Sequence, residues 1–158
     1  MQQFTSPSPY IRQISIYLKQ EKYLEARELS ENFADSFPDN MTAHLLFAKS
    51  AFWTGDFAIA RDEAKKAYGT AEGTAEVIMA GILLACSYYR LGEYEKGLKL
   101  VRTLSEQAPH MEELPTLKFA FAMATGDESM AARSIELLYE VDRKAGRRLL
   151  ENVLLGGA

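Results

Sequence analysis

Cysteine, tryptophan and histidine are scarce in this chain of 158 residues, which has one cysteine, one tryptophan and two histidines. The single cysteine, Cys86, permits no disulfide within the chain and no multi-cysteine metal site, which predicts a reducing, cytoplasmic location. His44 and His110 lie far apart without acidic residues at ligand spacing, so we expect no metal and no cofactor. A Gly-Lys-Ser/Thr phosphate loop is also missing. We therefore expect no enzymatic activity, and we interpret His44 as a packing residue.

The chain also lacks a long apolar run and an excess of positive charge. No stretch approaches the roughly 18 uninterrupted apolar residues that span a bilayer, and the first residues do not resemble a signal peptide. Eighteen basic against 22 acidic residues give a formal charge of −4, which argues against nucleic acid or an anionic membrane as a partner. The hydrophobic share of 47% is that of a globular protein. We expect a single domain over residues 1–158, with no membrane insertion.

Apolar residues recur at helical spacing between breaks that are rich in glycine and proline. Tyr10, Ile14 and Leu18, for example, fall on one face of a helix. No comparable segment alternates with period two and ends in hairpin turn residues. Ser8 followed by Pro9 predicts the start of the first helix, because proline is tolerated at the first helical position. The pattern predicts an all-helical chain.

The predicted turns follow one another at a nearly constant spacing. Gly92 and Gly126 are 34 residues apart, and so are Glu21 and Gly55. Gly55 and Gly92 are 37 apart, and we expect the three additional residues in a loop over 69–74. Helix–turn–helix units with this period are typical of a solenoid, in which neighbouring units share one core.

The repeated unit resembles the tetratricopeptide repeat, whose pattern has a small residue and a tyrosine before the turn and an alanine after it. The third unit matches best, with Ala85, Tyr88, the turn at Gly92, Gly97 and Pro109. The resemblance implies a right-handed α-solenoid of about four helix–turn–helix repeats with a C-terminal capping helix. We place the repeats at about 7–40, 41–77, 78–111 and 112–145, and the capping helix at about 146–155.

Small residues begin the second helix of every unit, where they let the two helices of the pair approach closely. These residues are Ala26, Ala60, Gly97 and Ala131. The capping helix is predicted from an apolar stripe formed by Leu149, Leu150, Val153 and Leu154. A dimer contact or a truncated further repeat are the alternatives for this stripe.

In tetratricopeptide proteins the first helices of successive units line a concave groove that binds a peptide or a partner's helix. The groove positions that we transfer to this sequence are Leu45, Lys49, Phe52, Trp53, Ile82, Cys86, Tyr89, Arg90 and Met123. This groove is apolar and aromatic with two cations, which favours a partner with leucine or phenylalanine every three or four residues and some negative charge. Phe52 and Trp53 could instead pack against neighbouring helices.

One tetratricopeptide subfamily uses lysine and asparagine at set groove positions to bind the C-terminal carboxylate of heat-shock chaperones. Those positions hold Ile11, Ser15, Leu45 and Lys49 here, so we expect no such clamp.

The resemblance implies a protein-interaction scaffold or adaptor that binds an apolar peptide or an amphipathic helix of a partner. A chaperone-like role in a secretion or assembly system is one specific version of this function. Two alternatives stay open: a structural module that forms a homodimer through the groove or the last helix, and the peptide-sensing half of a larger regulator.

Overall fold

The computed structural model of the protein describes residues 3–141 and 144, which form α-helices and no strand. The helices are α1 (Pro7–Lys19), α2 (Tyr23–Ser36), α3 (Met41–Trp53), α4 (Phe57–Thr70), α5 (Thr74–Arg90), α6 (Tyr94–Gln107), α7 (Glu113–Thr125) and α8 (Glu128–Val141). The chain divides between Leu91 and Gly92 into two compact units, the first with α1–α5 and the second with α6–α8. The predicted capping helix at 146–155 lies outside the described residues.

Four turns within residues 3–141 pass through the left-handed backbone conformation. The φ angle is 57° at Glu21, 83° at Gly55, 75° at Gly92 and 76° at Gly126. Glycine adopts this conformation at no steric cost, whereas a residue with a Cβ is strained there. After Glu21, the amide of Lys22 donates to a carbonyl five residues back, at 2.9 Å, a bond that closes the end of α1. The turns therefore lie at the positions that the repeat spacing predicts.

Side-chain caps begin some of the helices, whereas α1 begins without one. The Asn40 side chain accepts a hydrogen bond from the amide of Ala43 at 3.0 Å and so begins α3. α1 begins at Pro7 after Ser6, which makes no side-chain cap bond, and not after Ser8 as the sequence predicted. The earlier start costs no hydrogen bond, because the first amides of a helix have no intrahelical acceptor and proline lacks that amide.

The additional residues between the second and third turns lengthen a helix and do not form a loop over 69–74. α5 has 17 residues, whereas α1 and α3 have 13 each. It begins at Thr74, so the predicted repeat boundary between 77 and 78 falls inside this helix. The Glu76 carboxylate accepts a hydrogen bond from the amide of Gly73 at 3.0 Å, which stabilises this early start.

The first unit has its core on both sides of α3. Each helix packs against the next along the chain, and α3 also contacts α1 and α5. α3 is therefore nearly enclosed, and its buried residues are Ala43, His44, Leu45, Leu46, Phe47, Ala48, Ser50 and Ala51. Towards the N-terminus, Tyr10 and Phe33 are fully buried and stacked, with their ring centroids 4.9 Å apart. The first helices α1, α3 and α5 thus lie side by side.

The second unit packs α7 against both α6 and α8. Its largest fully buried side chains include Phe121, Leu104 and Leu114. A Cβ at Gly97 on α6 would overlap the ring of Phe121 on α7, so a small residue is required here by the contact with the following helix. None of the helices in the described part of the chain is long and apolar enough to cross a membrane.

Candidate functional site

Most of the predicted groove residues lie on α3 and α5 of the first unit, each set on one side of its helix. We call this surface the first-helix face, and its residues are Lys49, Phe52, Trp53, Ile82, Cys86, Tyr89 and Arg90. Met123 lies on α7 in the second unit, where its side chain is 54% exposed. Its membership of a common groove stays a prediction.

Leu45 lies in the core and not on this surface. Its side chain is 6% exposed and packs with Ala67 of α4 and Ala80 of α5. Leu45 shares a side of α3 with Lys49 and Trp53, but α4 and α5 cover that side only at Leu45. Leu45 therefore joins α3 to its neighbours and is not part of the first-helix face.

Aromatic side chains form a continuous row where the helices of the first unit meet their turns. The Trp53 ring stacks on Tyr23 with centroids 5.7 Å apart and meets Phe52 edge-to-face at 6.0 Å. Phe52 packs against Phe57 at 5.2 Å, and the Arg90 guanidinium carbon lies 4.5 Å from the Phe57 ring centroid. We call these four rings and the arginine the aromatic row. It draws on the ends of α2, α3, α4 and α5.

Trp53 is exposed although it stacks on Tyr23. Its side chain is 61% exposed, whereas Phe52 is half-buried between Trp53 and Phe57. The alternative that Trp53 is a core residue is therefore wrong. A large apolar ring that is held on one side and open on the other is suited to contact with a partner, because little side-chain entropy is lost when it is covered.

An ion pair fixes the turn that follows Trp53. One terminal nitrogen of Arg27 on α2 contacts the Asp56 carboxylate at 2.9 Å, and the other donates to the Thr54 hydroxyl at 3.3 Å. Asp56 also accepts a hydrogen bond from the amide of Ile59 and so caps α4. The turn is thereby tied to the preceding hairpin, which holds the Trp53 ring over Tyr23.

The cations of the first-helix face are not neutralised by the described residues. Lys49 is half-buried and Arg90 is exposed, and within residues 3–141 neither forms an ion pair with a carboxylate. Cys86, between the aromatic row and Ile82, is half-buried, and burial raises the pKa of its thiol. The neutral thiol is a weak nucleophile, which favours a packing role for Cys86.

Tyr23 and Phe57 belong to the row, although the sequence did not single them out as site residues. Each is the first residue of a second helix, directly after a left-handed turn. This position brings the ring beside the end of a first helix. An aromatic residue two positions after a left-handed residue, as after Glu21 and Gly55, was the signal that could have found them.

His44 is buried in a hydrogen-bonded cluster, so its role goes beyond packing. Its Nε2 donates to the carbonyl of Pro38 at 2.6 Å, and its Nδ1 lies 2.6 Å from the Glu63 carboxylate. The other oxygen of Glu63 accepts from the Lys66 ammonium at 2.8 Å. These bonds link α3 to α4. No group of three or more possible metal ligands occurs among the residues that the structure describes.

No family model matches the sequence, and no curated protein matches it either. Solved structures do match the fold. The MamA RS-1 ArsTM double mutant has a TM-score of 0.79 and 14% identity, over 90% of this chain and 78% of its own. TTC0263, a thermophilic TPR protein in Thermus thermophilus, has a TM-score of 0.72 and 15% identity, over 87% of this chain and 75% of its own.

A third similar structure contains a peptide. The first TPR of Spaghetti (RPAP3), bound to the HSP90 peptide SRMEEVD, has a TM-score of 0.70 and 20% identity, over 77% of this chain and 94% of its own. These matches and the helical hairpins described above confirm the predicted fold class. The chain has the tetratricopeptide-repeat fold, an all-α solenoid of helix–turn–helix units.

Proposed function

We propose that the protein is an interaction module that binds an apolar or amphipathic segment of a partner protein on its first-helix face. The observation that carries this proposal is the exposed Trp53, which is held by Tyr23 and bordered by Phe52. Tryptophan, tyrosine and arginine are the residue types that dominate binding energy at protein interfaces. The solved tetratricopeptide structure that holds a peptide supports a binding role for this fold.

The chemistry of the face defines the segment that would fit it. Trp53 and Phe52 suit leucine or phenylalanine side chains, which recur every three or four residues on one side of an amphipathic helix. Lys49 and Arg90, which have no carboxylate partner among residues 3–141, suit an acidic residue near those anchors. Covering the cations and the exposed ring together would give both affinity and orientation.

Trp53 also provides the assay, because it is the only tryptophan of the chain. We expect its fluorescence to shift to shorter wavelength when an amphipathic helical peptide with leucines at positions i, i+4 and i+7 and one glutamate is titrated in. Trp53→Ala should weaken binding of the dye-labelled peptide by about 2 kcal/mol, or about 30-fold. Circular dichroism should show unchanged helix content, because the lost side chain is largely exposed.

Leu24→Ala is the matched control. Leu24 is 68% exposed, similar to Trp53, but it lies on the outer side of α2 with the exposed Glu28 and Glu31. We expect this variant to bind like the parent chain. Equal weakening by both substitutions would contradict the assignment of the binding surface to the first-helix face.

A chaperone-like use is a specific version of this function. In that case the partner would be poorly soluble alone, and co-expression with the parent chain, but not with Trp53→Ala, would keep it in solution. Self-association is the competing use of the same surface. A dimer of the isolated chain in sedimentation velocity, abolished by Trp53→Ala and not by Leu24→Ala, would assign the surface to a second copy.

A further inference from the structure

The second unit contains a cavity that is lined by three basic residues. The cavity has a volume of about 250 Å³, and its lining residues are Arg102, Lys118, Met130, Arg133, Ser134 and Leu137. Each of the three cations comes from a different helix: Arg102 from α6, Lys118 from α7 and Arg133 from α8. We call this site the basic cavity. Met130 and Leu137 contribute apolar surface to its lining.

The three cations repel one another, and little negative charge offsets them. Burial lowers the pKa of Lys118, and the charges of Arg102 and Arg133 lower it further, against a weaker opposing effect of Glu106. None of the three cations forms an ion pair or a hydrogen bond with another described residue. Arg102 and Arg133 are exposed and Lys118 is half-buried, so solvent screens part of this repulsion, and a bound anion would relieve the rest.

A larger cavity adjoins the basic cavity. Its volume is about 440 Å³, and Lys118 and Leu137 line both cavities. The other walls of the larger cavity include Leu114, Pro115 and Pro109. An anionic group between the arginines could therefore continue into a mainly apolar space of the size of a small ring or an aliphatic side chain.

We propose that the basic cavity is an anion-binding site for an organic phosphate, with the phosphate held by Arg102, Lys118 and Arg133 and its apolar substituent in the adjoining cavity. Arg102 and Arg133 both act on Lys118, against one opposing effect from Glu106, and this excess of positive charge matches a dianion better than a carboxylate. Arginine favours phosphate because its planar guanidinium donates two parallel hydrogen bonds. The site lies within the second unit and does not depend on the function proposed for the first-helix face.

Calorimetric titration at constant ionic strength tests the site with three probes: phenyl phosphate, inorganic phosphate and benzoate. We expect phenyl phosphate to have a Kd at least about tenfold lower than either of the others, because only it combines the dianion with an apolar group. No measurable binding of phenyl phosphate would overturn the proposal. Binding no tighter than that of inorganic phosphate would overturn the role of the adjoining cavity, and benzoate binding as tight would overturn the preference for a dianion.

Substitutions identify the residues that hold the anion. Arg102→Gln and Arg133→Gln should each raise the Kd of phenyl phosphate about tenfold or more, since each removes a charged donor. Arg12→Gln is the control, because Arg12 is an exposed cation of α1 in the first unit and its loss changes the net charge equally. Equal weakening by Arg12→Gln would show non-specific attraction and overturn the site.

A second readout follows Lys118 itself. In the chain with ¹³C-methylated lysines, the Lys118 resonance should titrate below the usual lysine range, since burial and the two arginines lower its pKa. Phenyl phosphate should raise that pKa, because a neighbouring negative charge stabilises the ammonium form. An unchanged Lys118 titration with bound phenyl phosphate would place the anion elsewhere and contradict the proposal.

Discussion

Replacing Gly97 with alanine tests the close approach of α6 and α7 in the second unit. The other repeats have alanine at the equivalent position, so a tetratricopeptide pattern alone would favour Gly97→Ala as a stabilising change. The structure indicates the opposite. A Cβ at Gly97 would overlap the ring of Phe121, which is fully buried and also contacts Tyr94.

The expected magnitude follows from two opposing effects. Alanine has a helix propensity about 1 kcal/mol better than glycine inside a helix. Overpacking a filled core costs about 1–3 kcal/mol, because the displaced side chain leaves its preferred rotamer or moves the backbone. The Phe121 ring is fully buried and cannot move into solvent, so we take the upper part of that range. The free energy of unfolding should fall by about 1–2 kcal/mol.

Gly69→Ala is the matched control, since nothing lies within contact distance of a Cβ at this exposed position near the end of α4. It should raise the free energy of unfolding by about 0.5 kcal/mol. Urea denaturation followed by circular dichroism measures both variants. In a Phe121→Leu background the cost of Gly97→Ala should shrink, which a double-mutant cycle would show. The packing argument would be refuted if the Gly97→Ala variant were at least as stable as the parent chain while Gly69→Ala gave its expected gain.

Three other substitutions or reactions test local features. Glu21→Gly should raise the free energy of unfolding by about 1 kcal/mol in urea denaturation, because Glu21 has a φ of 57° that strains a residue with a Cβ; an unchanged or lower value would contradict the left-handed turn. Glu63→Gln should lower the melting temperature and cost about 2 kcal/mol, because it removes the buried charge that His44 and Lys66 contact; Lys65→Gln, at an exposed neighbouring site, should have little effect. Cys86 should react with iodoacetamide at pH 8 about tenfold more slowly than free cysteine, since burial raises its pKa, and reaction at the free rate would show an open thiol.

The fold could be predicted from the sequence because the turns recur at a regular spacing. Gly55, Gly92 and Gly126 mark three of them, and their spacing predicted that Glu21, a residue unfavourable at a left-handed position, occupies the fourth. What could not be predicted was how the chain absorbs an insertion. A loop and a longer helix use the same number of residues, and the Glu76 side chain decided in favour of the longer helix by capping the amide before it.

The site could be predicted only in part. Helical spacing shows which side of a helix a residue lies on, but not whether neighbouring helices bury that residue. Leu45 and Lys49 share one side of α3, yet Leu45 is covered by α4 and α5. The basic cavity could not be predicted at all, since Arg102, Lys118 and Arg133 are 16 and 15 residues apart. Their proximity depends on how three helices pack, and no local pattern encodes it.

The stacking of Trp53 on Tyr23 has a consequence for how such a binding surface is inherited or engineered. The two rings come from different hairpins, and Arg27 and Asp56 join the same pair of hairpins. The binding surface thus depends on the contact between two hairpins, and a graft of either hairpin alone into another repeat array would not carry the surface with it. Transferring the binding specificity to another protein requires both consecutive hairpins together.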